Sequence, residues 1–163
     1  MREAGADLGF APTGVGALSS MRMEKAYRDM GHDIDSTDTP LEAGLGFAVS
    51  RTKPAFIGRE AVLRKRDAGL DRRLVQFRLT EPDALLYHNE PILRDGRIVG
   101  QITSGAYGHT LGGAVGLGYV PCKGEEAGAV LASSYEIDVA GRKVRAEASL
   151  RPMYDPDGAR TKV

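Results

Sequence analysis

Hydrophobic positions recur at three- and four-residue steps before about residue 70 and alternate in short runs after it. Between Val15 and Met30, the positions Val15, Leu18, Met21 or Met23, Tyr27 and Met30 keep the helical period and predict one amphipathic helix. Thr13 is its expected N-cap and Gly31 its expected stop. Residues 1–9 read as the tail of a helix ending near Gly9. The Asp, Ser and Thr run before Pro40 reads as a loop. Thr39 can cap a short turn that starts at Pro40, with Glu42 near its positive end. Leu45 to Val49 predicts a strand, and Gly58 to Ala68 a second helix closed by Gly69.

Beyond that point the period changes to two. Leu74 to Leu79 alternates like a strand, and Ala114 to Val120 is another strand candidate. Asp95-Gly96 between two apolar runs is the strongest hairpin signal, because both residues tolerate positive φ. Tyr135 to Ser149 reads as a second hairpin turning near Ala140-Gly141. Several short strands with frequent turns predict a small antiparallel barrel or sandwich. The expected organisation is therefore α+β, with a boundary near residue 70 and no internal repeat or low-complexity segment.

Charge narrows the partners. Lys+Arg number 22 and Asp+Glu number 22, so the formal net charge is zero. Such a balance gives no electrostatic footprint for nucleic acid or an anionic membrane, and neither is expected as a partner. No apolar stretch approaches the roughly 18 residues of a transmembrane helix. The amino terminus lacks the basic and apolar regions of a signal peptide. Cys122 is the single cysteine, which excludes an internal disulfide framework and suits a reducing, cytoplasmic setting.

Few residues stand out chemically. Glu24 has two readings. It can pair with Arg28 one helical turn away, a contact worth about 0.3–0.5 kcal/mol. It can also be a ligand carboxylate, whose two oxygens suit a heterocycle with parallel N–H donors, such as the amino-pyrimidine edge of a pterin. Spacing alone leaves both open. The run Asp33, Asp35, Thr37, Asp38 begins like a calcium loop, but Asp38 and Gly44 stand where that loop needs Gly and Glu. His32, His88 and His109 are far apart, so no metal site is expected. His32 lies just past a helix end, and His109 among residues of a tight turn, where structural roles are expected of both. Gly14-Val15-Gly16 lacks the preceding strand and third glycine of a dinucleotide fingerprint.

Longer segments carry more. SMRMEKAYRDMGHDIDSTDTPLEAGLGFAV, KPAFIGREAVL and GRIVGQITSGAYGHTLGGAVGLGYVP together resemble the glycine-cleavage aminomethyltransferase (T-protein) family. The resemblance runs from about residue 12 to residue 156. Met-Arg-Met-Glu-Lys-Ala-Tyr, Phe-Ile-Gly-Arg-Glu at 56–60 and Tyr-Gly-His-Thr at 107–110 lean toward the folate domain of dimethylglycine and sarcosine dehydrogenases or oxidases. The resemblance implies the last part of a folate-binding aminomethyltransferase domain over 1–70 and the family's small antiparallel β-barrel over 71–163. It implies tetrahydrofolate as cofactor and an amine-derived one-carbon donor, with FAD only in an upstream flavin domain. Glu24 matches the glutamate that holds the pterin edge. Lys53 matches a basic residue near the folate, where glycine-cleavage members carry Arg; Lys keeps the charge and loses the bidentate fork. Arg51 is a neighbouring candidate for that task. The family's catalytic aspartate belongs to its amino-terminal half, so no catalytic residue is expected in this chain. The partners implied are that half or a flavin domain. A non-catalytic interaction or assembly module derived from the family is the alternative.

Overall fold

The computed structural model describes residues 2–50 and 52–162. Six strands after residue 70 pair entirely antiparallel: β1 (Arg72–Leu79), β2 (Pro91–Arg94), β3 (Arg97–Gly108), β4 (Gly113–Pro121), β5 (Tyr135–Val139) and β6 (Arg142–Ser149). They close a barrel in the order β1-β4-β3-β2-β5-β6, so no strand keeps an unpaired edge. Asp95 (φ 51°) and Gly96 (φ 81°) turn β2 into β3, and Ala140 (φ 52°) and Gly141 (φ 86°) turn β5 into β6. Both are hairpins with two left-handed residues, which match the twist of the strands they join. The barrel interior is filled by Val75, Phe77, Leu79, Ile92, Ile102 and Ile137, with Val144 among others. Gly118 belongs to this packing: a Cβ there would stand 2.5 Å from Ile92 Cδ1 and 2.7 Å from the Gln101 carbonyl oxygen.

Alternation on β1 sends its other face outward, yet that face is also buried. Leu74, with Val115 and Leu117 of β4, packs against Met23 and Ala26 of the first half. These last two follow or end α1 (Val15–Glu24), the helix that lies across the barrel. A second helix, α2, covers Arg59–Ala68 and stops at Gly69 (φ 86°), as the sequence predicts. A third, α3 (Ala127–Ala132), links β4 to β5.

Four local expectations are corrected. The first helix ends at Glu24, six residues before Met30, because the chain forms a Schellman stop in which Ala26 takes the left-handed position at φ 51°. Tyr27 N–H donates to the Arg22 carbonyl at 2.9 Å and Ala26 N–H to the Met23 carbonyl at 3.1 Å. Its N-cap is Gly14 and makes no side-chain bond, so Thr13 does not cap it. Residues 1–9 hold only a 3-10 turn, Ala6–Leu8, before Gly9 at φ 73°. Leu45 to Val49 is not a strand but surrounds a 3-10 turn, Gly46–Ala48. Leu45 N–H donates to the Pro40 carbonyl at 2.7 Å and Ala48 N–H to the Leu45 carbonyl at 3.0 Å, while the closed barrel offers that segment no edge. Among the described residues, no helix is long and apolar enough to cross a membrane.

Candidate functional site

Glu24 is the last residue of α1, where a carboxylate meets the negative end of the helix dipole. It is also buried, at 4% exposure, so the position needs compensation. The turn between β3 and β4 supplies it. Thr110 N–H donates to Glu24 Oε1 at 2.6 Å and Leu111 N–H donates to the same oxygen at 3.0 Å. Gly108 makes the approach possible: a Cβ there would stand 3.2 Å from Glu24 Oε1 and 2.8 Å from Val115 Cγ2. Arg78 holds the other side of the turn, donating to the Leu111 carbonyl at 3.0 Å while forking onto Glu147. The main chain beside Glu24 is fixed equally well. Buried Gln76 donates to the Met23 carbonyl at 2.7 Å and accepts from Met153 N–H at 2.8 Å. The result is a carboxylate whose Oε1 takes two backbone donors and whose Oε2 takes no donor from the described residues.

Arg28 does not pair with Glu24. The helix has ended four residues earlier, so the one-turn spacing no longer places them on one face. Arg28 instead donates from Nε to the Ala43 carbonyl at 2.9 Å and from Nη1 to the Ala26 carbonyl at 2.8 Å. Burial lowers its pKa from the ordinary arginine value, with Tyr119 and Asp33 acting in the opposite direction. Lys53 is exposed, in a loop where its backbone N–H donates to Ser50 Oγ at 3.1 Å. No hydrogen bond or ion pair among the described residues joins it to Glu24. Arg51 lies outside the described residues.

The most deeply buried acid among the described residues is one the sequence suggested only as the start of a rejected calcium loop. Asp33 is 1% exposed. Its Oδ2 accepts from Arg22 Nη1 at 2.9 Å and from Asp29 N–H at 2.9 Å, and its Oδ1 accepts from Thr103 Oγ1 at 2.5 Å. It therefore ties α1 to strand β3. Asp35 Oδ1 accepts from Thr37 within its own turn, whereas Asp38 takes Asp35 N–H on Oδ2 and Arg72 Nη2 of β1 on Oδ1 at 2.7 Å. Among the described residues, no group of three or more His, Cys, Asp or Glu is placed to hold a metal. His32 pairs with Asp29 at 3.1 Å, and His109 packs edge-on against Tyr107.

The comparisons bear on this arrangement directly. The model of the glycine cleavage T-protein C-terminal barrel domain matches residues 72–155, and that of the GCVT N-terminal domain matches residues 1–53. The chain belongs to the glycine cleavage T-protein family. It is 43% identical over 159 residues to a 4-methylaminobutanoate oxidase (formaldehyde-forming) of Paenarthrobacter nicotinovorans, covering 97% of this chain and 19% of that protein. An aminomethyltransferase of Halothermothrix orenii is 44% identical over 120 residues, with 74% and 33% covered. A mitochondrial pyruvate dehydrogenase phosphatase regulatory subunit of Mus musculus is 37% identical over 162 residues, with 91% and 18% covered. Among solved structures, the aminomethyltransferase of the Bartonella henselae glycine cleavage system superposes with a TM-score of 0.77 at 25% identity, covering 94% of this chain and 44% of that one. The chain thus spans less than half the length of these relatives. The six-stranded barrel is the family's carboxyl-terminal barrel, and α1 with Glu24 falls in the part matched by the N-terminal domain model.

Proposed function

We propose that this chain is the carboxyl-terminal part of a tetrahydrofolate-dependent protein that transfers a one-carbon unit from an amine to tetrahydrofolate. The parent would be an aminomethyltransferase or resemble a dimethylglycine or sarcosine dehydrogenase. The observation that carries this reading is the half-used carboxylate of Glu24. The helix dipole disfavours an acid at a C-terminus, and Oε2, which takes no donor from the described residues, is open to a ligand. Oε2 can accept an N–H from the amino-pyrimidine edge of a pterin, while Oε1 stays locked to Thr110 and Leu111. Fixing one oxygen in advance lowers the entropy cost of orienting the ligand. Lys53, exposed and without an ion pair among the described residues, is proposed to face the anionic portion of the same folate, with Arg51 beside it. The folate supplies the amine that accepts the one-carbon unit. The chain's own residues bind and orient it, and the reacting groups belong to the rest of the parent protein. The formaldehyde-forming relative supports a methylamine as the source of that unit. We place the division between the folate-binding part and the barrel at about residue 70, and the buried Cys122 thiol fits a reducing cytoplasm.

A second reading, a non-catalytic assembly module, is favoured by one surface. Val15 (81%), Leu18 (59%) and Met21 (48%) expose an apolar stripe along α1. A relative that is itself named a regulatory subunit agrees with such a role.

Calorimetric titration with 5-formyltetrahydrofolate, on the wild type and on Glu24→Gln, tests the first reading. The amide keeps an acceptor for Thr110 and Leu111 and turns the other oxygen into a donor. Binding should be saturable in the wild type and at least about tenfold weaker in the variant, as expected for loss of a charge-assisted bond. Unchanged melting of the variant would show that the loss is local. Absence of binding by the wild type would sink the folate reading for this chain and favour the assembly module.

A further inference from the structure

A separate cleft of about 530 Å³ adjoins the end of α1. Its walls include Lys25, Tyr27, Arg28, Gly44, Phe47 and Arg151, and among the described residues no carboxylate lines it. Two of the three cations are already paired. Lys25 Nζ meets Asp155 Oδ2 at 2.9 Å, and Arg151 Nη2 meets Asp157 Oδ1 at 2.6 Å. Arg28 differs. Its Nε and Nη1 donate to carbonyl oxygens, which hold the side chain but do not neutralise it. Its Nη2 takes no acceptor, and Arg28 has no ion-pair partner, among the described residues. The charge of Asp33 reaches Arg28 only from beyond ion-pair distance, so a ligand anion at Nη2 would be the first direct counter-charge of this half-buried guanidinium among the described residues.

Two further features shape what could enter. Gly44 sits at φ 68°, and a Cβ there would come within 2.7 Å of Arg28 Nη2, so glycine keeps the nitrogen clear on that side. Tyr27 and Phe47 line the same cleft and are 56% and 86% exposed, an unusual degree of solvation for aromatic rings in a concave wall. We infer that this cleft binds a small aromatic carboxylate, whose anionic group is taken by Arg28 and whose ring packs on Tyr27 and Phe47. Arg28 can offer Nη2 without releasing its two carbonyls, so binding needs no local unfolding. The inference is independent of the folate reading, because the Glu24 carboxylate is not part of this cleft.

The test is a heteronuclear NMR titration of the whole chain with benzoate, beside benzamide and inorganic phosphate. Benzoate should shift the Gly44 and Phe47 amides and the Arg28 Nε–H resonance saturably. Benzamide, which lacks the charge, and phosphate, which lacks the ring, should each bind at least about tenfold more weakly. Arg28→Lys should weaken benzoate about tenfold, since the ammonium keeps the charge and loses the planar fork. Because Arg28 also holds two loops together, Phe47→Ala is the safer variant: the ring is exposed, so the fold should survive while benzoate affinity falls. Equal binding of benzamide, absence of saturable shifts, or benzoate affinity unchanged in a folded Phe47→Ala chain would each overturn the assignment.

Discussion

Asp33 is fully enclosed, and both of its oxygens are taken by groups from other parts of the chain. Arg22 lies 11 positions away and Thr103 lies 70 positions away. A buried acid of this kind is stable only while its partners remain, because the desolvation cost is met by the bonds they provide. Replacing it by an amide keeps the shape and removes the charge opposite Arg22. Asp33→Asn should cost about 2–4 kcal/mol, whereas Thr103→Val, which removes one neutral donor, should cost about 1 kcal/mol. Urea unfolding followed by circular dichroism measures both, and equal losses would refute a dominant ionic contribution. None of this is visible in the run His32-Asp33-Ile34-Asp35, which reads as a polar loop. Local composition shows that a carboxylate is present. Only the packing of α1 on β3 shows which carboxylate is buried. Glu24 is a milder case: the family segment around it singles it out, but its anchor, the Thr110–Leu111 backbone, is 86 and 87 positions away.

At the level of elements, legibility follows whether the signal is carried by the residues at the turn itself. Asp95-Gly96, Ala140-Gly141 and Gly69 each occupy a left-handed position that the sequence marks with glycine. The stop of α1 uses Ala26 at that position, so no local cue distinguishes it from a helix that continues. Burial of Ala26 and Met23 against the barrel selects the stop instead. Thr39 and Glu42 were legible as a cap, and the bonds agree: Glu42 N–H donates to Thr39 Oγ1, and Thr39 Oγ1 donates to Glu42 Oε2. What was not legible is that Lys65 of α2 bridges Glu42 to Asp71, the residue just before β1. Burial raises the Glu42 pKa most strongly as a single influence. The bonds from Lys65 and Thr39, with the charges of Lys65 and Arg72, together outweigh it and hold the carboxyl below its ordinary value. A group whose folded pKa is depressed contributes stability that is complete above its unfolded value and is lost as pH falls through the folded one. Thermal melts between about pH 7 and pH 3 should therefore show stability falling below about pH 5. Lys65→Met should flatten that fall, and a variant with the wild-type slope would mean that other carboxylates carry it.

Among the described residues two apolar clusters hold the molecule, one inside the barrel and one between the barrel and the segment that carries Glu24. The barrel's strands were largely readable from alternation, but its closure was not. The pairing of β1 with both β4 and β6 joins residues far apart in sequence, and nothing local specifies it. The same closure explains why α1 stays in place: a barrel with no free edge presents a continuous outer wall, and Met23, fully buried, plugs into it beside Leu74, Val115 and Leu117. Removing that plug should separate the two clusters energetically. Met23→Ala should cost about 2–4 kcal/mol, mostly as a cavity between α1 and the barrel. Amide hydrogen exchange distinguishes where the loss falls. Protection should drop in α1 and at Thr110 and Leu111, whose N–H groups depend on Glu24, while the β5–β6 hairpin keeps its rates. Uniform loss of protection across all six strands would show instead that barrel and helix unfold as one cooperative unit. The position of Glu24 would then be set by the stability of the whole chain, and not by a local latch that a single methionine controls.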